Sequence, residues 1–559
     1  LPVLLASSAA AAEPIFDNGF EADAGPQCTD KSVRVLAGRR LGFSFPNRDG
    51  VVADQWVESA CLRLTGIESS LTFDADRGAE VSVNEAAFRL PPVILAEGDR
   101  VRLRLRSPAT ADQSRTSVIR LDGDARGDFS VRSANDGRAA QLFRVGPGQP
   151  HRELDEIAGQ LVAGDVIELQ PGVLYAPVEF RRAGLPQAPI IVRAASGPGP
   201  RPAIVGGAVT LSFRGAHHYR LIGVEVRGGS EVCVRHEAND GVIERSRIHD
   251  CARHGVLGAD LNSGGLRITA SEVHDAGGQP PGENLKHPIY VATDRDRYPG
   301  AVLRVERSFL HDFGGNGIKS RAERVELYQN WIEAGTGGIY SIELNGYEEY
   351  LSEPGLLADV FGNVLIHRHV YGMRMGGDGT GALRGRVRLA HNTLLQGAAF
   401  TEYTPVLRFF GELDAVSVRN NVFARLDDAN VGEPLRLLRD DALWPSGGRR
   451  LEGSANWAPL GSDAIASGYL PPEWTETTLA NPPGYLSTLA DALDFRLVDG
   501  ASVAAVAPAS GSADGIYSLP DSLQHWHFLM PVQRPVSGSE MAASWLPGSG
   551  ELPPRIGAH

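Results

Sequence analysis

Short runs of alternating apolar and polar residues recur along most of the chain, and from 302 to 376 they recur with a fixed punctuation. Apolar positions Leu303/Val305, Val325/Leu327 and Val360 each lead to a Ser or Asn, at Ser308, Asn330 and Asn363. An apolar pair follows, then a Gly-containing turn, then a second short alternating run. Period-two alternation predicts strands with one buried face. The return of one polar residue at one offset, every roughly 20–35 residues, predicts stacked coils of a β-solenoid. A sandwich also has short strands, but it does not repeat the same corner residue.

The coil pattern extends in both directions, through 219–226, 242–257 and 266–292 before this stretch and 387–395 and 416–423 after it. Asn392 and Asn421 fall at the offset of Asn330 and Asn363. Asn at such a corner is expected to take the left-handed backbone and to stack in a hydrogen-bonded ladder. Seven short alternating runs between turn signals over 30–145 predict a β-sandwich. Residues 441–559 lose the coil rhythm and are expected to form a cap and an irregular tail, with Trp444, Trp457, Trp474, Trp526 and Trp545 as packing residues. The expected architecture is all-β, with a sandwich at 30–145, a parallel β-helix at 150–440 and the cap at 441–559.

Composition adds boundaries. The 559 residues include 65 Gly and 36 Pro, which suits a turn-dense β protein. A formal charge of −14 speaks against nucleic acid as the main partner, because phosphate binding needs a basic surface. No apolar run approaches the length of a membrane span. Residues 1–12 read LPVLLASSAAAA and look like the end of a signal peptide, so a secreted, periplasmic or cell-surface location is expected. An exported chain permits disulfides. Cys28 with Cys61 is the expected pair. Cys233 and Cys251 fall on neighbouring coils at different offsets, which argues against a bridge there. No Cys/His spacing suggests zinc.

Two polar constellations stand out. His249-Asp250, His274-Asp275 and His311-Asp312 recur at one offset, and repeat geometry accounts for them as a stack of polar turn residues. The second appears when coils are registered on their Ser/Asn corners. Lys319, Ser341 and Arg374 each lie eleven residues after the corner, at Ser308, Asn330 and Asn363 respectively. Apolar flanks point these three outward from one sheet, with Arg321 and Glu343 two residues on. The preceding coil aligns Tyr290 with Lys319 and His287 with Asn316. Parallel strands lie about 4.8 Å apart, so these residues should cluster. Insertions at 277–286, 293–299 and 346–357 would wall the cluster, and long loops on a rigid scaffold commonly carry function.

Proton abstraction from the C5 carbon of a uronate needs a base and positive charge to stabilise the carboxylate. Lys319 or Tyr290 could be the base, with Arg321 and Arg374 as electrostatic partners and His287, Glu343, Ser341 and Asn316 around them. The plainer alternative is a solvated face with charge pairs such as Lys319–Glu343 or Arg321–Glu343.

Particular segments resemble known families. The opening at 151–175 resembles that of many secreted right-handed parallel β-helices, which implies a short amphipathic helix at 154–161 capping the apolar end. Residues 98–133 resemble small immunoglobulin-like modules of bacterial surface proteins. This implies a spacer or anchoring role and possible surface attachment; a carbohydrate-binding role lacks an aromatic platform in the sequence. HPIYVATDRDR, GIKSRAERVELYQNWI and YSIELNG resemble exported bacterial β-helix proteins that carry a Lys-Ser-Arg-Ala strand, here 319–322. More distantly, the Lys-Ser strand and Asn corner are similar to polysaccharide lyase family 6. That likeness implies Lys319 as base and an assisting Arg one coil later, where this chain has Ser341 and Glu343; Arg374 is a coil further on. The family often uses calcium, for which no motif is present here. Residues 494–506 resemble the closing strand of β-helix enzymes, packed on the coil end. The expected function is β-elimination of an acidic polysaccharide. The rivals are a glycoside hydrolase pairing Glu343 with Asp294 or Asp296, and a non-catalytic adhesin.

Overall fold

In the computed structural model the described residues are 32–34 and, with gaps, 45–502, together with 534–538. The gaps include 278–285, 347–355, 398–405, 427–434, 440–449 and 466–476. The leader at 1–12, Cys28, Asp296, Trp444, Trp474, Trp526 and Trp545 lie outside the described residues. Contacts divide the chain into two units, 1–133 and 134–559.

In the first unit, two five-stranded sheets, mostly antiparallel, enclose one core. Alternation builds it: in Arg100–Arg106, Val101, Leu103 and Leu105 are fully buried while the arginines between them point away. Phe73, Leu95, Ile119, Phe129 and Val131 of the opposite sheet complete the packing.

The second unit is a right-handed parallel β-helix with three ladders. The first ladder has twelve strands among the described residues, from Leu142–Val145 to Arg450–Ser454. Leu142–Val145, within the span read as sandwich, pairs in parallel with Val166–Leu169 and so opens this ladder. The second ladder includes Arg247–Cys251 and Glu272–Ala276, and the third His254–Gly258 and Ile289–Ala292. Phe309–Arg321 and Trp331–Leu344 run unbroken through both. Inward residues such as Val256, Ile289, Ile318, Ile342 and Met373 form one continuous core. Leu154, Ile157 and Leu161, on and beside the helix Asp155–Ala158, join that core at its N-terminal end, as the resemblance implied. The coil pattern runs past 440: Trp457–Ala458 and Asp463–Ile465 extend the other two ladders.

From 241 to 458 every corner between the first and second ladders is a residue pair: 245–246, 270–271, 307–308, 329–330, 362–363, 391–392, 420–421 and 455–456. The first member of each pair takes φ between 46 and 63°. The left-handed residue is therefore the one before the Asn, not the Asn itself as the sequence suggested. The Asn is committed instead to stacking. Asn363 accepts the Asn330 N–H on Oδ1 at 2.9 Å and donates from Nδ2 to Asn392 Oδ1 at 2.9 Å. The column continues through Asn421 to Asn456, and Ser246, Ser271 and Ser308 occupy it in earlier coils. The other two corners vary widely, as at 277–288 between the second and third ladders and 345–355 between the third and first.

Two further expectations are corrected. Cys233 and Cys251 form a disulfide, with Cα atoms 5.7 Å apart. The offsets differ because Cys251 ends a second-ladder strand and Cys233 lies on the third ladder of the preceding coil. Both side chains enter the same core. Cys61 is also disulfide-bonded. Second, Asp494–Leu497 does not close the coil end. Phe495 packs on Trp331 at 5.4 Å between centroids, against the outer flank of the second ladder. The outward residues Trp331, Val364, Ile366, Leu395 and Val422 are apolar and need a cover, which explains the position.

Candidate active site on the third ladder

The third ladder carries an outward column in the order Tyr290, Lys319, Glu343, Arg374, Arg408. Lys319 and Arg374 thus share one sheet, as expected, but Glu343 rather than Ser341 stands between them. The coil of Asn330 is two residues longer on this path. Register shifts between His311 and Asn316 absorb the excess. Counting from the corner could not reveal that bulge.

Glu343 is almost fully buried and is the centre of the cluster. Its Oε2 lies 3.1 Å from Lys319 Nζ and accepts from Asn316 Nδ2 at 2.5 Å. Its Oε1 lies 3.2 Å from Arg374 Nη1, which also donates to the Tyr340 hydroxyl at 3.2 Å. One buried carboxylate therefore faces two cations. A buried charge is tolerated only when it is paired and hydrogen-bonded, and here the balance is positive by one, in a chain of charge −14.

Tyr290 and His287 border Lys319 on the other side. Lys319 Nζ sits 5.8 Å from the Tyr290 ring centre, and the His287 ring meets the Tyr290 ring edge-on at 5.7 Å. His287 Nδ1 accepts the backbone N–H of Asn316 at 3.1 Å. Gly315 makes that approach possible: φ is +64°, and a Cβ there would stand 1.9 Å from the Lys286 carbonyl oxygen. Burial, the Lys319 charge and the neighbouring His254 hold the His287 pKa well below its usual value. A neutral ring that accepts on Nδ1 carries its proton on Nε2. His287 is thus a donor beside Tyr290. His254, which the sequence reading did not include, repeats the arrangement one coil earlier by accepting the His287 N–H on Nδ1 at 3.2 Å.

The remaining candidates sit differently. Arg321 donates to the Gly346 carbonyl at the end of its strand. Ser341 is fully buried and, among the described residues, its Oγ has no hydrogen-bond partner, nor has Asn316 Oδ1. The Asp294 carboxylate accepts the N–H groups of Arg297 and Asn262, at 2.9 and 3.2 Å, and so serves its own turn.

The His column lies on the outer face of the second ladder. His249, His274 and His311 stack at 4.7 Å between successive centroids, and each Nδ1 bonds its own neighbouring Asp at 2.7–2.8 Å. Those Asp residues take φ of 45–53°, so turn geometry explains the repeat. Glu272, His274 and His311 bring ligand atoms within 4.8 Å of one another. A cation already stands among them: Arg247 Nε is 3.0 Å from both His274 Nε2 and Glu272 Oε2. The segment 534–538 closes over this face, with Gly538 N–H on Glu272 at 3.0 Å and Arg534 on Glu333 at 2.7 Å.

No family model matches the chain, and no curated protein matches it in sequence. Among solved structures it is similar to the pectate lyase Pel9A, at 14% identity and TM-score 0.44, over 67% of this chain and 94% of that one. It is also similar to a PL6 family polysaccharide lyase from Pseudopedobacter saltans, at 13% identity and TM-score 0.32, over 61% of this chain and 87% of that one. A GH136 lacto-N-biosidase from Eubacterium ramulus is similar at 11% identity and TM-score 0.31, over 57% of this chain and 67% of that one. Among the described residues no helix is long and apolar enough to cross a membrane.

Proposed function

We propose that the third-ladder column cleaves an acidic, uronate-containing polysaccharide by β-elimination. The observation that carries this reading is the bracketing of one buried carboxylate, Glu343, by two cations. A uronate carboxylate arriving at Arg374 competes with Glu343 for that guanidinium. Glu343, left with less positive charge around it, then takes the Lys319 proton and frees a neutral amine. The amine removes the C5 proton, the electron pair forms the C4–C5 double bond, and the C4–oxygen bond breaks. Tyr290, beside Lys319, supplies a proton to the leaving oxygen and is re-protonated by solvent, while Glu343 returns its proton to solvent and again faces the Lys319 ammonium. Arg374 holds the substrate carboxylate as it gains electron density, which is the stabilisation this chemistry needs. No calcium enters these steps, and the one carboxylate of the column, Glu343, is already paired with two cations rather than part of the oxygen set calcium favours.

A disulfide in the β-helix suits the oxidising environment that an exported enzyme meets. Incubation with polygalacturonate, alginate or dermatan sulfate should generate unsaturated ends that absorb in the ultraviolet. New reducing ends without that absorbance would move the reading to hydrolysis. A folded sample inactive on acidic and neutral polymers alike would leave a binding solenoid.

A further inference from the structure

The sandwich holds a feature that the spacer role expected for it does not use. Strand Arg100–Arg106 turns four arginines to one face of its sheet. Three are neutralised: Arg102 by Glu58 at 3.5 Å, Arg104 by Glu80, and Arg106 by Asp54 at 2.8 Å. The fourth, Arg100, stands directly opposite Arg63 of the neighbouring antiparallel strand. Among the described residues neither guanidinium has an ion pair or a hydrogen bond. Like charges directly across an antiparallel pair repel, and an incoming anion would relieve that. The two line an open depression of about 410 Å³ with Asn84, Glu85 and Gly98.

At the other end of the same strand the face becomes aromatic. Arg104 lies 4.7 Å from the Trp56 ring centre and 4.7 Å from that of Phe88. Trp56 remains 42% exposed, an indole fixed by a cation and open to solvent. The sequence showed no aromatic platform because Trp56, Phe88 and Arg104 are distant along the chain, Trp56 meeting Arg104 through strand pairing and Phe88 through the turn that follows Glu80–Val83. Six residue steps from Arg100 to Arg106, the partner of Trp56, separate depression and platform by roughly 20 Å, enough for a short run of sugars.

We infer that this face is a binding site for an acidic polysaccharide segment, with Arg63 and Arg100 taking a sugar carboxylate and Trp56 stacking on a sugar ring. The choice of an acidic sugar polymer rests on the proposed function of the β-helix. Binding is therefore tested apart from catalysis, on the full chain carrying Lys319→Ala, by electrophoresis through gels containing alginate, polygalacturonate or neutral dextran. The acidic gels should retard the protein and dextran should not. Arg63→Glu with Arg100→Glu should weaken retardation at least tenfold and reduce its salt dependence. Trp56→Ala should weaken it several-fold, and Glu85→Gln should strengthen it. With Lys319 restored, the arginine pair variant should turn over short oligosaccharides at the parent rate. Should no unsaturated product form with any polymer, retardation that disappears in the arginine variant still supports the sandwich site. Unchanged retardation in that variant, or none in the parent, overturns it.

Discussion

Two faces of the same β-helix carry polar columns one strand spacing deep, and they have been resolved in opposite ways. On the second ladder, His249, His274 and His311 repeat identically, each bonded to its own Asp, with Arg247 and Glu272 filling the space between. Residues 534–538 then cover part of that face. On the third ladder the column does not repeat: phenol, amine, carboxylate and guanidinium follow one another, and Ser341 Oγ and Asn316 Oδ1 are buried without partners among the described residues. Repetition satisfies a stack, because each layer solves its hydrogen bonds as the last did. A break in repetition is where a solenoid can place different groups around one ligand. Corner lengths agree, since around the site the variable connections border the third ladder while the corner between the first and second is two residues in every coil from 241 to 458.

The comparison is broken most directly by substitution on each face. Lys319→Ala should lower turnover on a uronate polymer about a hundred- to ten-thousand-fold, with an unchanged circular dichroism spectrum. His274→Asn should leave turnover within a factor of about two. Equal losses would remove the distinction between the faces. Glu272→Ala leaves Arg247 without its carboxylate and the His311 imidazole with Asp312 alone, and should cost about 3–5 kcal/mol in denaturant unfolding while leaving turnover of the remaining folded enzyme near the parent value. Glu343→Gln keeps its hydrogen bond to Asn316 but leaves Lys319 and Arg374 without their shared counter-charge, so turnover should fall steeply along with stability.

Acid sharpens the contrast. Burial lowers His236 and His254 to about 4, and His287 well below its usual value. These rings fold neutral, so the unfolded chain binds more protons below its histidine pKa of about 6.5. Stability should fall between about pH 6.5 and 4, by up to about 1.4 kcal/mol per pH unit for each such ring. His311 has the opposite sign, because its hydrogen bonds to the Asp312 and Glu272 carboxylates outweigh its burial and raise its pKa. Its contribution is complete below the unfolded pKa and disappears as pH rises through the folded one. Glu272, lowered to about 2 by His311, Ser537, Gly538 and Arg247 against its burial, contributes above its unfolded pKa and fades as pH drops toward 2. His254→Gln should flatten the acid limb of the unfolding curve, and His311→Gln should flatten the alkaline one. A smaller effect is expected at the corner: Asn363→Ala leaves buried groups unsatisfied on two coils and should cost about 1–3 kcal/mol.

The fold was legible because its instructions are local and repeated. The Ser/Asn corners named the coils, and alternation named the faces. The site was legible as a neighbourhood but not as a sequence of contacts. Lys319 and Arg374 could be placed by counting because their coils have equal corner-to-site spacing, and Tyr290 by the alternation of its own strand, whereas the bulged coil moved Glu343 into the position assigned to Ser341. His254 escaped notice because its role depends on a backbone N–H of the next coil, which no side-chain pattern encodes. The bridge between Cys233 and Cys251 was misjudged for a related reason, since it joins different ladders of adjacent coils.

The two-residue corner that recurs from 241 to 458 makes this part of the molecule a scaffold with interchangeable parts. Each Asn sets the phase of its own coil against the next, through bonds that never involve the variable connections. A segment such as 277–288 or 345–355 can therefore be exchanged, lengthened or shuffled between coils without re-indexing the strands on either side. Selection for a new polymer could act on those segments without disturbing the strand register, and a designer could follow the same route.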